Sequence, residues 1–254
     1  MKVRILGSGT SSGVPRIGND WGACDPSDPR NARTRASILV ETATTRILVD
    51  TGPDMRAQLL AARVGTVDAV IWTHDHADHT HGIDDLRQVY HELGHPVRGL
   101  ARSWTGNTLT TRFPYVFAGA GGYPPTATME DLPDTIVIGD ITIGVVDQPH
   151  GSITSAGLRF ESGGKSLGYA TDIKAMTDDA ERLYQQLDVW IVDALRERVH
   201  PSHAELATTL SWIAALKPAR AVLTHMDQSM DYATLTARLP NGVEPGYDGL
   251  EITL

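Results

Sequence analysis

A chain of 254 residues with 41% hydrophobic and 21% charged side chains is too apolar for disorder and too polar for a membrane-embedded protein. Its 22 basic residues stand against 31 acidic ones, a formal net charge of -9, which argues against gripping a long nucleic acid and favours small substrates. The single cysteine, Cys24, excludes an intramolecular disulfide and fits a reducing compartment.

The chain opens MKVRILGSGTSSG, which reads as a strand at Val3–Leu6 running into a Gly/Ser loop. It lacks the apolar core and small-residue cleavage site of a signal peptide, so a cytoplasmic location is expected. No apolar run reaches the ~18 residues of a membrane span, and no membrane association is expected. Further strands are predicted at Ser37–Glu41, Ile47–Asp50, Ala69–Trp72, Ile136–Ile138, Thr142–Val146, Leu167–Ala170, Val189–Val192, Ala221–Thr224 and Leu250–Leu254. They are rich in Val and Ile and bounded by Gly, Asp, Pro or Thr. Helical spacing appears between them. Pro53–Arg63 begins on a proline suited to a first turn and sets Leu59 and Leu60 on its apolar side. His79–Leu93 aligns Ile83, Leu86, Val89, Tyr90 and Leu93, and Gly94 and Pro96 end it. Ser202 and Glu205 have capping-box spacing for a helix that ends before Pro218, and Met230–Leu239 is a fourth candidate.

This alternation predicts an α/β or α+β protein, with two sheets packed face to face and helices outside, in one domain over residues 1–254. Residues 102–133 stand apart, with Gly119, Gly121, Gly122, Pro114, Pro124 and Pro125 among five aromatics. Such a segment is expected to be a functional loop or lid; a variable surface excursion is the alternative.

The segment Thr73-His74-Asp75-His76-Ala77-Asp78-His79 directly follows the Ala69–Trp72 strand. His74 and His76, two apart in extended chain, project to the same side. Asp78 and His79 fall where the chain turns into a helix, within reach of a second ion beside the first. Imidazole nitrogens and carboxylate oxygens are the usual ligands of Zn²⁺ and similar cations. The alternative is a histidine-rich surface loop without function.

His74-x-His76-x-Asp78-His79 resembles the signature of the metallo-β-lactamase superfamily of hydrolases, and the later positions follow in order, each after a strand. They are His150 in Asp147-Gln148-Pro149-His150-Gly151, Asp172 in Gly168-Tyr169-Ala170-Thr171-Asp172, and His225 in Val222-Leu223-Thr224-His225-Met226. The resemblance implies an αββα four-layer sandwich. It implies that His74, His76 and His150 hold one metal, that Asp78, His79 and His225 hold a second, and that Asp172 bridges them. Asp50, in Leu48-Val49-Asp50-Thr51-Gly52, matches the first motif of the superfamily; its expected role lies behind the ligands, fixing an imidazole or the loop that carries it. As a plain turn residue at a strand end it would need no such role.

The opening Gly7-Ser8-Gly9-Thr10-Ser11-Ser12-Gly13-Val14-Pro15-Arg16-Ile17-Gly18 and the closing Tyr247-Asp248-Gly249-Leu250 are similar to a narrower group, that of the phosphoribosyl cyclic phosphodiesterases. His203, in Pro201-Ser202-His203-Ala204-Glu205, matches the histidine thought to act there as general acid, against the plainer reading of a solvated residue at a helix start. Asp193 could orient it. The resemblance also implies a homodimer. The family usually carries a structural zinc, and its ligand positions here read Asn19, Trp21, Cys24 and Gln228. One thiolate cannot close a tetrahedral site, so no structural zinc is expected and Trp21 is expected to fill the loop by apolar packing.

These expectations add up to a phosphodiesterase for a small anionic diester, cyclic or open-chain. Two divalent ions ~3.5–4 Å apart would share a hydroxide that attacks phosphorus, since coordination lowers the pKa of water from 15.7 to about 7. The ligand set suits Zn²⁺ or Mn²⁺, with Ni²⁺ and Fe²⁺ also compatible. Two M²⁺ with Asp78, Asp172 and hydroxide leave about +1 for an anionic substrate, and His203 would protonate an alkoxide leaving group. Three rivals share parts of this pattern. A lactam hydrolase usually has cysteine where Asp172 stands. A tRNase Z-like nuclease needs a basic arm, and 102–133 holds only Arg102 and Arg112. The third rival is a non-catalytic metal-binding domain.

Overall fold

A computed structural model describes all residues, 1–254, as two seven-stranded mixed sheets packed against each other with helices on both outer faces. The first sheet takes strands β1 (Lys2–Gly7), β2 (Ser37–Glu41), β3 (Arg46–Val49), β4 (Ala69–Trp72), β5 (Gly99–Ala101) and β6 (Glu130–Asp131). The second takes β7 (Thr135–Ile138), β8 (Ile141–His150), β9 (Ile153–Ser162), β10 (Lys165–Ala170), β11 (Val189–Asp193), β12 (Arg220–Thr224) and β13 (Val243–Pro245). The last strand, β14 (Glu251–Thr253), returns to the first sheet beside β1.

Strands β2, β4 and β11 read as apolar runs because both faces of each sheet are covered. Side chains alternate along a strand, so Ile38 and Val40 of β2 point between the sheets while Leu39 points outward. In β11, Val189 and Ile191 likewise face inward and Trp190 and Val192 outward. The inner core therefore draws on both sheets. The outer face of the first sheet packs on helices α1 (Met55–Ala62), α3 (Leu86–Leu93), α4 (Ser103–Arg112) and α5 (Pro114–Ala118), while the single turn of α2 (Ala77–Thr80) follows the end of β4. Helices α6 (Asp178–Leu183), α7 (Leu206–Leu216) and α8 (Tyr232–Thr236) cover the second. This is the αββα arrangement. No helix is long and apolar enough to cross a membrane.

In each sheet one half is parallel: β3 to β6 in the first, β10 to β13 in the second. Parallel strands end on the same edge, and that edge collects side chains from distant sequence. The two sheets are tied there by the Ala156 amide, which donates to the Thr73 carbonyl at 2.8 Å.

Several elements differ from the sequence reading for identifiable reasons. The helix expected over His79–Leu93 breaks at Gly82, whose amide donates to the Thr51 carbonyl at 2.8 Å and where a methyl would run into the Gly52 carbonyl. Residues 102–133, expected as a loop or lid, form α4, α5 and the edge strand β6, with Leu109, Val116, Ala127 and Leu132 buried. The capping box at Ser202 does not form: Glu205 is the N-cap and α7 starts at Leu206, because Ser202 and His203 are held toward the strand ends instead. Leu59 is buried but Leu60 is 62% exposed. Strand β9, which pairs along nine residues with β8, lacks the Val/Ile signature and was not predicted; neither were the three-residue β5 and β13.

The loop that a structural zinc would staple is held by other bonds. The Arg33 side chain, 2% exposed, donates to the carbonyls of Asp227 (3.3 Å) and Met230 (2.6 Å) and to Asn31 Oδ1 (3.2 Å), and reaches Cys24 Sγ at 3.7 Å. Trp21, expected to fill this space, is only partly buried and donates its indole N–H to Asn19 at 3.0 Å. Arg33 is the group at the centre.

Candidate metal centre

Seven side chains singled out in the sequence meet at the shared strand edge. His74, His76, Asp78 and His79 come from the turn after β4, His150 is the last residue of β8, Asp172 follows β10 and His225 follows β12. The donor atoms of His74, His76, His150 and Asp172 lie within 4.8 Å of one another, as do those of Asp78, His79 and His225. A third set joins Asp172, His203 and His225.

The Asp172 carboxylate faces both groups. Its Oδ1 lies 3.7 Å from His74 Nε2 and 3.4 Å from His150 Nε2. Its Oδ2 lies 3.1 Å from His79 Nε2 and 3.5 Å from His225 Nε2. Asp78 Oδ2 closes the second group, at 3.3 Å from His79 Nε2 and 3.5 Å from His225 Nε2. Asp50, Asp172 and His225 hold left-handed backbones at φ 66, 54 and 59°, which costs a non-glycine residue about 1–2 kcal/mol each and turns the chain sharply at the strand end.

Behind the cluster, hydrogen bonds fix the tautomers, because a nitrogen that donates its proton leaves the other nitrogen's lone pair free. Asp50, fully buried, takes His79 Nδ1 at 2.7 Å and accepts from the Thr73 amide (2.8 Å) and hydroxyl (2.9 Å). The same hydroxyl lies 3.0 Å from His74 Nδ1, so Asp50 steadies one histidine directly and another through Thr73. His150 Nδ1 donates to the Ser202 carbonyl at 2.9 Å. His150 Nε2 and His76 Nδ1 then face each other at 3.2 Å with no proton required by any other partner.

The cluster fits divalent cations. Nε2 of His74, His79 and His225 is buried without a hydrogen-bond partner, a rare state for a polar atom and one that a cation resolves. Proton affinities divide in the same way. Burial would raise the Asp78 carboxyl, but the charge of His79 and the close approach of the His225 and His79 imidazoles outweigh it and hold the group well below the usual carboxylate range. Burial opposes a charge on His225, yet Asp172 pushes the imidazole up to about 9. Burial first and the neighbouring His79 second drive His74 well down. Two carboxylates thus demand positive charge between them, and some imidazoles are kept free of protons.

His203 sits beside this cluster, 7% exposed, with its ring stacked on His225 at 4.8 Å between centroids. Its Nδ1 meets Asp193 Oδ2 at 2.7 Å, and its Nε2 lies 3.6 Å from Asp172 Oδ1. Asp193, at the end of β11, is the partner that the sequence could name but not locate. Thr73 and Ser202, which orient His74 and His150, had no signal in the sequence. His81, His91 and His95 are exposed and His200 is partly buried; none joins the metal-binding sets.

A family model described as a beta-lactamase superfamily domain matches residues 45–226, and so contains all seven clustered side chains. A crystal structure of a new diphosphatase from the PhnP family superposes with a TM-score of 0.91 at 32% identity, covering 99% of this chain and 96% of that one. An octanoyltransferase of Porphyromonas gingivalis is 33% identical over 99% of this chain; this chain spans 51% of its length. Zn²⁺-bound PqqB from Methylobacterium extorquens shares the fold, with a TM-score of 0.82 at 20% identity over the full length of both chains. This chain's cluster of histidines and aspartates, the family match and the likeness to the PhnP-family structure together assign the chain to the metallo-β-lactamase superfamily of hydrolases, as a relative of the PhnP family.

Proposed function

We infer that this protein is a dinuclear metal-dependent phosphodiesterase for a small anionic diester. The observation that carries the reading is the Asp172 carboxylate, one oxygen turned to His74 and His150 and the other to His79 and His225. A carboxylate shared between two ligand groups calls for two cations. His74, His76 and His150 would hold the first, Asp78, His79 and His225 the second, with Asp172 touching both. Divalent ions bound there supply Lewis acidity toward phosphoryl oxygens and water acidified to a pKa of about 7.

The chain's own residues do the rest. Asp50 keeps the proton of His79 on Nδ1, away from the site, and the Ser202 carbonyl does the same for His150. His203 would deliver a proton from Nε2 to the departing alkoxide, with its Nδ1–H anchored and its ring oriented by the buried Asp193 carboxylate. The kinship with a diphosphatase of the PhnP family supports phosphorus as the reacting centre. A nuclease reading has less support: Arg102 pairs with Asp134 and Asp147, and Arg112 with Asp75, so the two basic residues of segment 102–133 are already engaged. Metal analysis combined with turnover of bis-p-nitrophenyl phosphate tests the reading. It requires two metal equivalents and hydrolysis that a chelator abolishes. Two equivalents with no phosphodiester turned over would overturn it.

A further inference from the structure

His203 rides on a loop that neither sheet holds directly. Residues 197–203 make no backbone–backbone hydrogen bond. The nearest on either side are the Arg196 carbonyl, which accepts from the Leu206 amide at 2.9 Å, and the Ala204 amide, which donates to the Ile173 carbonyl at 2.8 Å. Backbone groups in such a stretch turn to side chains or water. The Arg196 guanidinium donates to the Arg198 and Val199 carbonyls, each at 3.3 Å, and Lys174 Nζ donates to the His203 carbonyl at 3.1 Å. Between them, Ser202 is held by two histidines.

His200, half-buried, is the first. Its Nδ1 accepts from the Ser202 amide at 3.3 Å and stands 3.2 Å from the Ser202 hydroxyl. A backbone amide can only donate, so Nδ1 carries a lone pair, the hydroxyl donates to it as well, and the ring proton sits on Nε2. His150 is the second, with its Nδ1 donating to the Ser202 carbonyl at 2.9 Å. That carbonyl shares one planar peptide unit with the His203 amide, so the bond to His150 and the seat of His203 move together. Ser202 also abuts the turn after His150: a methyl on Gly151 would come within 3.1 Å of the Ser202 Cβ. The His200 ring lies 5.0 Å from the His203 ring between centroids, on the same loop.

We propose that His200 is a positioning residue: its Nδ1 fixes Ser202, and through Ser202 it sets both the carbonyl that orients His150 and the approach of His203 to Asp172. His203 Nε2 and Asp172 Oδ1 stand 3.6 Å apart, a separation that drift of the loop would change. The effect on His203 rests on the phosphodiesterase reading above. The effect on His150 requires only that His150 hold a cation.

Three substitutions separate the two ring nitrogens. Asn places an accepting oxygen where Nδ1 stands, one bond beyond Cγ, whereas Gln places its amide near Nε2. In zinc-loaded protein, His200→Ala is expected to lower kcat for ethylene phosphate, whose leaving group is an alkoxide, roughly a hundred-fold with KM little changed, the cost of misplacing a reacting group by about 1 Å. Turnover of methyl p-nitrophenyl phosphate, which needs no proton donor, is expected to change far less. Titration of metal-free His200→Ala with zinc against a chelator is expected to show one of two equivalents weakened about ten-fold. His200→Asn restores both properties and His200→Gln restores neither. Native affinity for both equivalents in His200→Ala, equal weakening of both, or rescue by Gln and not by Asn would overturn the positioning role and leave the phosphodiesterase reading intact. Turnover of neither substrate by the native protein would overturn the phosphodiesterase, while the chelator titration still decides whether His200 acts through Ser202 on His150.

Discussion

If two cations bind as proposed, replacing Asp50 by Asn is expected to separate the two halves of the site. The native carboxylate accepts from three directions: the Thr73 amide, the Thr73 hydroxyl and His79 Nδ1. An amide of the same shape has one accepting oxygen. Turned toward Thr73, that oxygen keeps two of the contacts and, through the hydroxyl, the support of His74. The Asn NH₂ then faces His79 Nδ1 and forces the proton of His79 onto Nε2, the atom that looks toward Asp78 and Asp172. One charge-assisted hydrogen bond of 2.7 Å is lost, worth about 1.5–3 kcal/mol. That agrees with the ~10–100-fold loss of metal affinity usual when the group behind a ligand is removed. Competition against a chelator of graded strength resolves the two equivalents. In Asp50→Asn one equivalent weakens by that factor and the other is retained; in Asp50→Ala, which also releases the Thr73 hydroxyl, both weaken. An Asp50→Asn protein that binds both equivalents with native affinity, or loses both alike, would refute the arrangement.

Other expectations can be checked in the same preparation. His203→Ala lowers kcat for substrates with alkoxide leaving groups by about 10²–10⁴-fold and for p-nitrophenyl esters far less; comparable losses on both contradict the proton-donor role. Saturating zinc at about 100-fold above Kd stabilises the metal-free protein by about 2.7 kcal/mol per site, a rise in Tm of roughly 5–10 °C per ion for a chain of this size; calorimetry that shows no shift contradicts buried imidazoles waiting for a cation. Gly52→Ala places a methyl against the Asp78 carbonyl, so it costs about 1–3 kcal/mol in urea unfolding and weakens metal binding together. Arg33→Lys keeps the charge but loses the fork that reaches Asp227, Met230 and Asn31, and lowers stability by about 1.5–3 kcal/mol without changing metal stoichiometry.

What was legible in the sequence follows how local each signal is. His74 to His79 lie within six residues after an apolar strand, so spacing alone singled them out; His150, Asp172 and His225 are scattered strand-end residues, and only the resemblance to the superfamily marked them. Parallel strands ending on one edge then bring them together. The alternation of Val/Ile-rich strands with helical spacing made two facing sheets with outer helices legible, and the resemblance to the superfamily supplied the four-layer αββα arrangement. Strand β9 was not legible, because Thr154, Ser155, Ala156, Gly157 and Arg159 carry no such run and its place is set by pairing with β8. Segment 102–133 misled because Pro114 opens α5, Gly119 ends it and Gly121, Gly122, Pro124 and Pro125 lie in the turn after it, while Leu109 and Val116 reach the outer core. The supports behind the site were silent for the same cause: Thr73, Ser202 and Arg33 act through backbone carbonyls or residues far along the chain, which no spacing encodes. Asp193 could be named as a partner for His203, but only the packing of β11 against the α7 entry sets the 2.7 Å contact.

Anomalous diffraction from crystals loaded with zinc is the most direct trial of the paired-cation pocket. Two peaks per chain ~3.5–4 Å apart are predicted, one among His74, His76 and His150, the other among Asp78, His79 and His225, with Asp172 in contact with both. A single peak, or zinc bound away from Asp172, would contradict the account.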